Sequence, residues 1–81
     1  MVIIKYTDWL ISRYFEQDED LTVIDFSDTE VLLSKDLYEF FDKMDLHLPI
    51  KVVGTEDKSY YTQMIRLVIS NLINREIVER E

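Results

Sequence analysis

The chain has no cysteine, one histidine, one glycine and one proline among its 81 residues. Without cysteine it forms no disulfide, no thiolate metal site and no thiol redox centre. The single glycine, Gly54, excludes the glycine-rich loops that cradle phosphates in the usual nucleotide enzymes. The single histidine, His47, lacks the cysteine partners of a typical zinc site and the oriented nucleophile of a catalytic triad. We therefore predict no metal, no cofactor and no enzymatic activity.

The chain also lacks a long apolar stretch. No apolar run approaches the roughly 18 residues of a membrane span, and no signal peptide precedes the first predicted strand. Glycine and proline are too rare for a long disordered linker, and the length suits one domain over residues 1–81. We therefore expect a single soluble domain without a membrane association. The absence of cysteine is compatible with the cytoplasm, where we expect the protein to act.

The charge is negative and unevenly placed. Seventeen acidic and nine basic residues give a net charge of −8 at pH 7. Residues 1–47 hold twelve acids against four bases, whereas residues 48–81 hold five of each. A negative domain repels a phosphate backbone unless a local basic patch overrides the field, so nucleic acid is not the expected partner. The acidic half of the chain either keeps the protein soluble or forms a face that docks on a basic partner.

Three β-branched stretches alternate with helical patterns along the chain. The stretches lie at residues 2–6, 21–26 and 48–53, and helix-start or turn residues follow each of them. Such alternation predicts βαβ units and a parallel sheet, since both connections are long enough for a crossover helix. The expected fold class is α/β, in the order β-α-β-α-β-α. Residues 58–61 form either an additional short strand or the first turn of the last helix.

Apolar periodicity predicts three helices. The first spans residues 8–17, with an apolar side of Leu10, Ile11, Tyr14 and Phe15. The second includes residues 35–44, with a stripe of Leu33, Leu37, Phe40, Phe41 and Met44. Its start is open, because Ser27 and Glu30 have the spacing of a capping box. The third has a stripe of Tyr61, Met64, Ile65, Val68 and Leu72. Its register fails after Asn74, so this helix either ends or leaves the core near there.

Three stretches resemble the glutaredoxin-type thioredoxin fold. Val2–Thr7, followed by Trp9, is similar to the first strand of that family and its approach to Cys-x-x-Cys. Thr22–Asp25 is similar to the second strand, and Leu48–Gly54 is similar to the cis-proline strand. The resemblance implies a scaffold that presents a surface for extended peptides. The two cysteines of that family correspond roughly to Leu10 and Arg13, which form no thiolate. The resemblance therefore implies the scaffold without disulfide exchange.

The predicted function is that of a non-catalytic, acidic protein-interaction module, acting as an inhibitor or adaptor on a basic or nucleic-acid-binding partner. Its candidate binding residues are Trp9, Arg13, Asp18, Glu19, Asp20, His47 and Pro49. Trp9 points away from the apolar side of its predicted helix, and exposed aromatic residues are enriched at interface hot spots. The alternative for Trp9 is packing against the rim of the sheet. The acidic turn at residues 18–20 would steer a basic partner, and otherwise it is a solvated loop.

An α+β winged helix is the alternative fold. Residues 62–78 are similar to a recognition helix and the first strand of a wing. A helix over residues 62–74 would then bind nucleic acid, with Thr62, Gln63, Arg66 and Ser70 at base edges or phosphates. The acidic net charge opposes this hypothesis, and the predicted strand at residues 2–6 has no role in it.

Overall fold

The computed structural model describes residues 1–80 as a three-stranded sheet with three helices. In chain order the elements are β1 (Val2–Lys5), α1 (Tyr6–Ser12), β2 (Thr22–Asp25), α2 (Ser34–Asp42), β3 (Ile50–Val53) and α3 (Ser59–Arg80). All strands are parallel and lie in the order β1-β2-β3, so that β2 is central. The predicted α/β class and parallel sheet are confirmed. The alternative of an additional strand at residues 58–61 is wrong, because α3 begins there.

Alternation along the strands separates a buried face of the sheet from an exposed one. The buried face consists of Val2, Ile4, Thr22, Ile24, Ile50 and Val52, in two rows across the strands. On the central strand, Thr22 and Ile24 are fully buried. On the opposite face, Ile3 is 61% exposed and Lys5 and Lys51 are exposed. The core therefore lies on one face of the sheet, the face on which the helices pack.

Aromatic rings fill the centre of this core. The fully buried rings are those of Tyr6, Trp9, Phe26, Phe40, Phe41 and Tyr61. The ring of Phe40 on α2 has its centroid 5.3 Å from that of Tyr6 and 4.9 Å from that of Trp9. Edge-to-face pairs at such distances contribute about 0.5–1.5 kcal/mol each beyond the burial of their area. The aromatic residues of α1 therefore hold α1 and α2 together.

Helix α1 is shorter than predicted and buries a different side. It ends at Ser12, and the cap residue Arg13 has a left-handed backbone (φ 56°) and an N–H that donates to the Trp9 carbonyl oxygen at 2.7 Å. Tyr6 and Trp9, three residues apart, face the core, whereas Ile11 is 87% exposed. Of the apolar side predicted over residues 8–17, Leu10 and Phe15 pack half-buried against the core. Ile11 and Tyr14 are exposed, because the helix has only seven residues and the two rings bury the most area.

Helix α2 confirms the second pattern from Leu37 onwards. Leu37, Phe40, Phe41 and Met44 are buried, whereas Leu33 precedes the helix and is exposed. The capping box at Ser27 is not formed. The chain turns there instead, and the Thr29 N–H donates to the Phe26 carbonyl oxygen at 3.0 Å. The helix begins only at Ser34.

Helix α3 confirms the third stripe but continues beyond Asn74 to Arg80. Its 22 residues span about 33 Å at the usual rise of an α-helix. Residues 75–78 are helical and form no wing strand, so the winged-helix alternative is wrong. In residues 1–80, no helix combines the length and the apolar character needed to cross a membrane.

Candidate functional site

Two loops lie side by side at the amino edge of the sheet, where the strands begin. Residues 13–21 lead into β2, and residues 43–49 lead into β3. The side chain of Gln17 joins the loops. Its Nε2 donates to the Asp45 carbonyl oxygen at 2.7 Å, and its Oε1 accepts from the Asp45 N–H at 3.0 Å. This pair of hydrogen bonds imitates the pairing of neighbouring strands and fixes the loops relative to each other.

The predicted acidic turn, Asp18 to Asp20, lies in the first loop. Asp18 accepts a hydrogen bond from the Asp20 N–H at 2.9 Å and forms an ion pair with the Met1 ammonium at 2.6 Å. The backbone hydrogen bond, and then the ammonium, hold the pKa of Asp18 below its usual range. Glu19 and Asp20 are exposed. Asp18 therefore shapes the turn, while Glu19 and Asp20 present charge to the solvent.

The predicted residues His47 and Pro49 lie in the second loop. Nε2 of His47 lies 2.9 Å from Oε1 of Glu76, so this loop is tied to the C-terminal half of α3. Pro49 is exposed, and its carbonyl oxygen accepts from the Thr22 N–H at 3.1 Å. The bond that precedes Pro49 is trans, so the cis-proline implied by the glutaredoxin resemblance is not present.

The structure thus gathers five of the seven predicted residues at the amino edge, and Trp9 is not among them. Trp9 is 1% exposed, and its ring packs against Tyr6 and Phe40 in the core. The prediction that Trp9 is an exposed aromatic anchor is therefore wrong. Trp9 follows Tyr6 by three residues, which places both rings on the same side of α1. That i, i+3 spacing of aromatic residues, directly after a strand, was the signal for its burial.

Arg13 begins the loop of residues 13–21, but its side chain covers Trp9 and contacts α2. Its guanidinium carbon lies 4.6 Å from the centroid of the Trp9 ring. It also forms ion pairs with Asp36 at 3.2 Å and with Glu39 at 2.6 Å, both on α2. The side chain therefore ties the end of α1 to α2.

A groove between α2 and α3, hereafter the α2–α3 groove, has a volume of about 320 Å³. Its floor consists of the apolar side chains of Phe41, Met44, Leu46 and Leu72. Its rim consists of Asp42, Asp45, His47, Arg75, Glu76 and Glu79. Four carboxylates therefore surround an apolar floor, against one arginine and one histidine.

The sequence did not predict this groove, because α3 was expected either to end or to leave the core near Asn74. Arg75 and Glu76 fall on the inner side of the helix and interrupt its apolar stripe. In the structure, however, α2 ends at Asp42, and this part of α3 borders the groove in place of the core. Polar residues on the inner side of α3 are therefore solvated and compatible with a helix.

Two further observations concern metal ligands and relatives of this chain. Among the residues that the structure describes, no three of the His, Asp and Glu side chains are arranged to hold a metal ion. In comparisons with protein-family models, with curated proteins and with solved structures, no match to this chain was found. The proposed function therefore rests on the geometry and charge of the amino edge.

Proposed function

We propose that the protein is a non-catalytic interaction module that binds a basic segment of a partner protein. The binding surface is the acidic edge, defined as the carboxylates of Glu19, Asp20, Asp42, Asp45, Glu76 and Glu79. The observation that carries the proposal is that side-chain contacts connect the segments of this surface. Gln17 joins the two loops, and His47 joins the second loop to α3. Carboxylates from three separate segments are thereby held on a common support.

Charges of one sign on a fixed support favour a partner of the opposite sign. They increase the rate of association with a basic surface and repel acidic ones, including nucleic acid. A protein whose own function is to bind nucleic acid has such a basic surface. The acidic edge would compete with nucleic acid there, as an inhibitor, or connect that protein to another component, as an adaptor. What supports this choice is the net charge of −8 on a small domain.

Two finer predictions remain part of the proposal. The glutaredoxin-type arrangement is supported by the order of the elements along the chain. The trans bond before Pro49 counts against it. The cytoplasmic location is supported by the absence of cysteine, which is compatible with a reducing compartment.

The test is the binding of a fluorescent arginine- and lysine-rich peptide, followed by anisotropy at low and at raised salt. The double variant Glu19→Gln, Asp20→Asn removes two charges from the acidic edge and is expected to weaken binding several-fold. The matched control is Glu56→Gln, Asp57→Asn, an exposed Glu-Asp pair that follows β3 at the opposite edge of the sheet. Equal weakening by both pairs would indicate net charge without a site, and no binding at low salt would contradict the proposal.

A further inference from the structure

The size of the α2–α3 groove limits what it accepts. Its volume of about 320 Å³ lies at the lower end of the range of about 300–1,000 Å³ that ligand sites occupy. A helix or a folded element of a partner is too large for it. One extended side chain, with the backbone that carries it passing over the rim, fits such a volume.

The distribution of polarity in the groove selects a long amphipathic side chain. The floor is apolar, since Phe41, Met44 and Leu72 are buried and Leu46 is half-buried. The rim is negative, because its four carboxylates outnumber its arginine and its histidine. Lysine and arginine have this character, with an apolar stem below a cationic head. A neutral side chain would suit the floor but not the rim, and the rim would repel an acidic side chain.

The rim carboxylates are placed to receive the head group. Among the residues that the structure describes, neither Asp42 nor Glu79 forms an ion pair. Arg75 lies on the same rim and is not paired with either of them. These carboxylates therefore reach a partner without first breaking a contact within the protein.

We infer that the α2–α3 groove receives one arginine side chain from the basic partner, an assignment that rests on the proposed function. Arginine is preferred to lysine because its planar guanidinium offers five donors in a fixed arrangement, which several carboxylates around one opening satisfy together. The stem packs on Leu46 and Leu72, and the guanidinium lies between Asp42 on α2 and Glu79 on α3. The His47–Glu76 and Gln17–Asp45 contacts hold the walls in place before binding, which reduces the ordering cost.

The test uses a short blocked peptide of alternating arginine and glycine, titrated into the ¹⁵N-labelled protein and followed by NMR. Two matched peptides replace arginine with lysine or with citrulline, which keeps the shape of arginine without its charge. Amide shifts are expected in residues 41–47 and 72–79, with the tightest binding for arginine and none for citrulline. The variant Asp42→Asn, Glu79→Gln is expected to weaken arginine binding about tenfold, and Glu56→Gln, Asp57→Asn to leave it unchanged.

The outcomes separate this inference from the function on which it rests. Binding of the arginine peptide with shifts confined to residues 16–20 would overturn the groove assignment and leave the acidic edge as the binding surface. Equal affinity for arginine and lysine peptides, or for citrulline, would overturn the assignment as well. No binding of any basic peptide at low salt would overturn both. Because the shift map is measured on the unmodified protein, the inference is tested even where the double variant folds poorly.

Discussion

The guanidinium of Arg13 lies over the ring of Trp9, 4.6 Å from its centroid, at the point where α1 ends. The ring beneath it is 1% exposed and belongs to the core. Arg13 is held in this position by Asp36 and Glu39 on α2. The two residues that were expected to form a binding surface therefore form a joint between the helices, and their predicted mutational effects concern stability.

Replacement of Trp9 by alanine is expected to lower the free energy of unfolding by about 3–5 kcal/mol, because it leaves a cavity among buried aromatic rings. Urea denaturation followed by circular dichroism measures this change. The matched control on the same helix is Ile11→Ala, whose side chain is 87% exposed and whose effect should stay within about 0.5 kcal/mol. A Trp9→Ala protein as stable as the wild type would contradict the position of Trp9 in the core.

The left-handed backbone of Arg13 provides a second test. A residue with a Cβ in this region costs about 1–2 kcal/mol, and glycine does not incur that cost. Arg13→Ala and Arg13→Gly lose the same side-chain contacts, which contribute about 0–1 kcal/mol for a partly exposed ion pair. The glycine variant is therefore expected to be more stable than the alanine variant by about 1 kcal/mol. The reverse order in urea denaturation would show that the chain does not turn at Arg13 as described.

Two buried tyrosines are expected to respond oppositely to the loss of their hydroxyls. Within the described part of the chain, the hydroxyl of Tyr6 is buried without a hydrogen-bond partner, whereas that of Tyr61 donates to the Glu30 carbonyl oxygen at 2.7 Å. An unsatisfied buried polar group costs about 1–3 kcal/mol. Tyr6→Phe should therefore raise the free energy of unfolding by about 1 kcal/mol, and Tyr61→Phe should lower it by a similar amount. Equal signs for the two variants would contradict the difference between their environments.

Alkaline pH tests the same Tyr6 hydroxyl. Burial raises the pKa of Tyr6 well above its usual range, so the folded protein holds this proton more strongly than the unfolded chain does. The resulting stability is fully present below about pH 10, the usual tyrosine pKa, and is lost as pH rises toward the raised value. Above about pH 10, unfolding free energy should fall less steeply in Tyr6→Phe than in wild type, by about 1.4 kcal/mol per pH unit. Identical slopes would place Tyr6 in contact with solvent.

Much of the fold could be predicted because its signals are local and periodic. The strand at Thr22–Asp25 is β-branched and bounded by polar turns, and the stripe from Leu37 to Met44 repeats over three turns. A turn was expected after the third β-branched stretch, and Gly54 forms it with a φ of 82°. A Cβ there would meet the Ser27 nitrogen at 2.5 Å, so only glycine fits between the ends of β2 and β3.

The errors of prediction occur where the tertiary environment overrides the local pattern. Helix α1 has only seven residues, and the pattern predicted over residues 8–17 outweighed the spacing of Tyr6 and Trp9 that marks the buried side. A left-handed end at Arg13, without glycine or asparagine, has no signal in the sequence. The continuation of α3 through Arg75 depends on where α2 ends, which is a relationship between distant segments. The acidic edge was therefore predicted in part, as the turn at residues 18–20, and its groove was not.

The joint between Gln17 and Asp45 connects the stability of the amino edge with the proposed binding. Gln17→Ala removes both hydrogen bonds to the Asp45 backbone, and we expect a loss of about 1 kcal/mol in unfolding free energy. The Asp45 amide then loses its acceptor, so its hydrogen exchange should become faster. Gln63→Ala, on the exposed side of α3, is the matched control and should change neither quantity.

The same variant should also weaken binding of the basic peptide by several-fold, although it removes no charge. Without Gln17, the loop that carries Glu19 and Asp20 is no longer fixed to the loop that carries Asp45, so ordering both loops adds to the cost of binding. Added salt should reduce the affinity of Gln17→Ala and of the wild type in equal proportion, since their charges are equal. Unchanged affinity in Gln17→Ala, with faster exchange at Asp45, would show that the partner needs only the charges and not their common support.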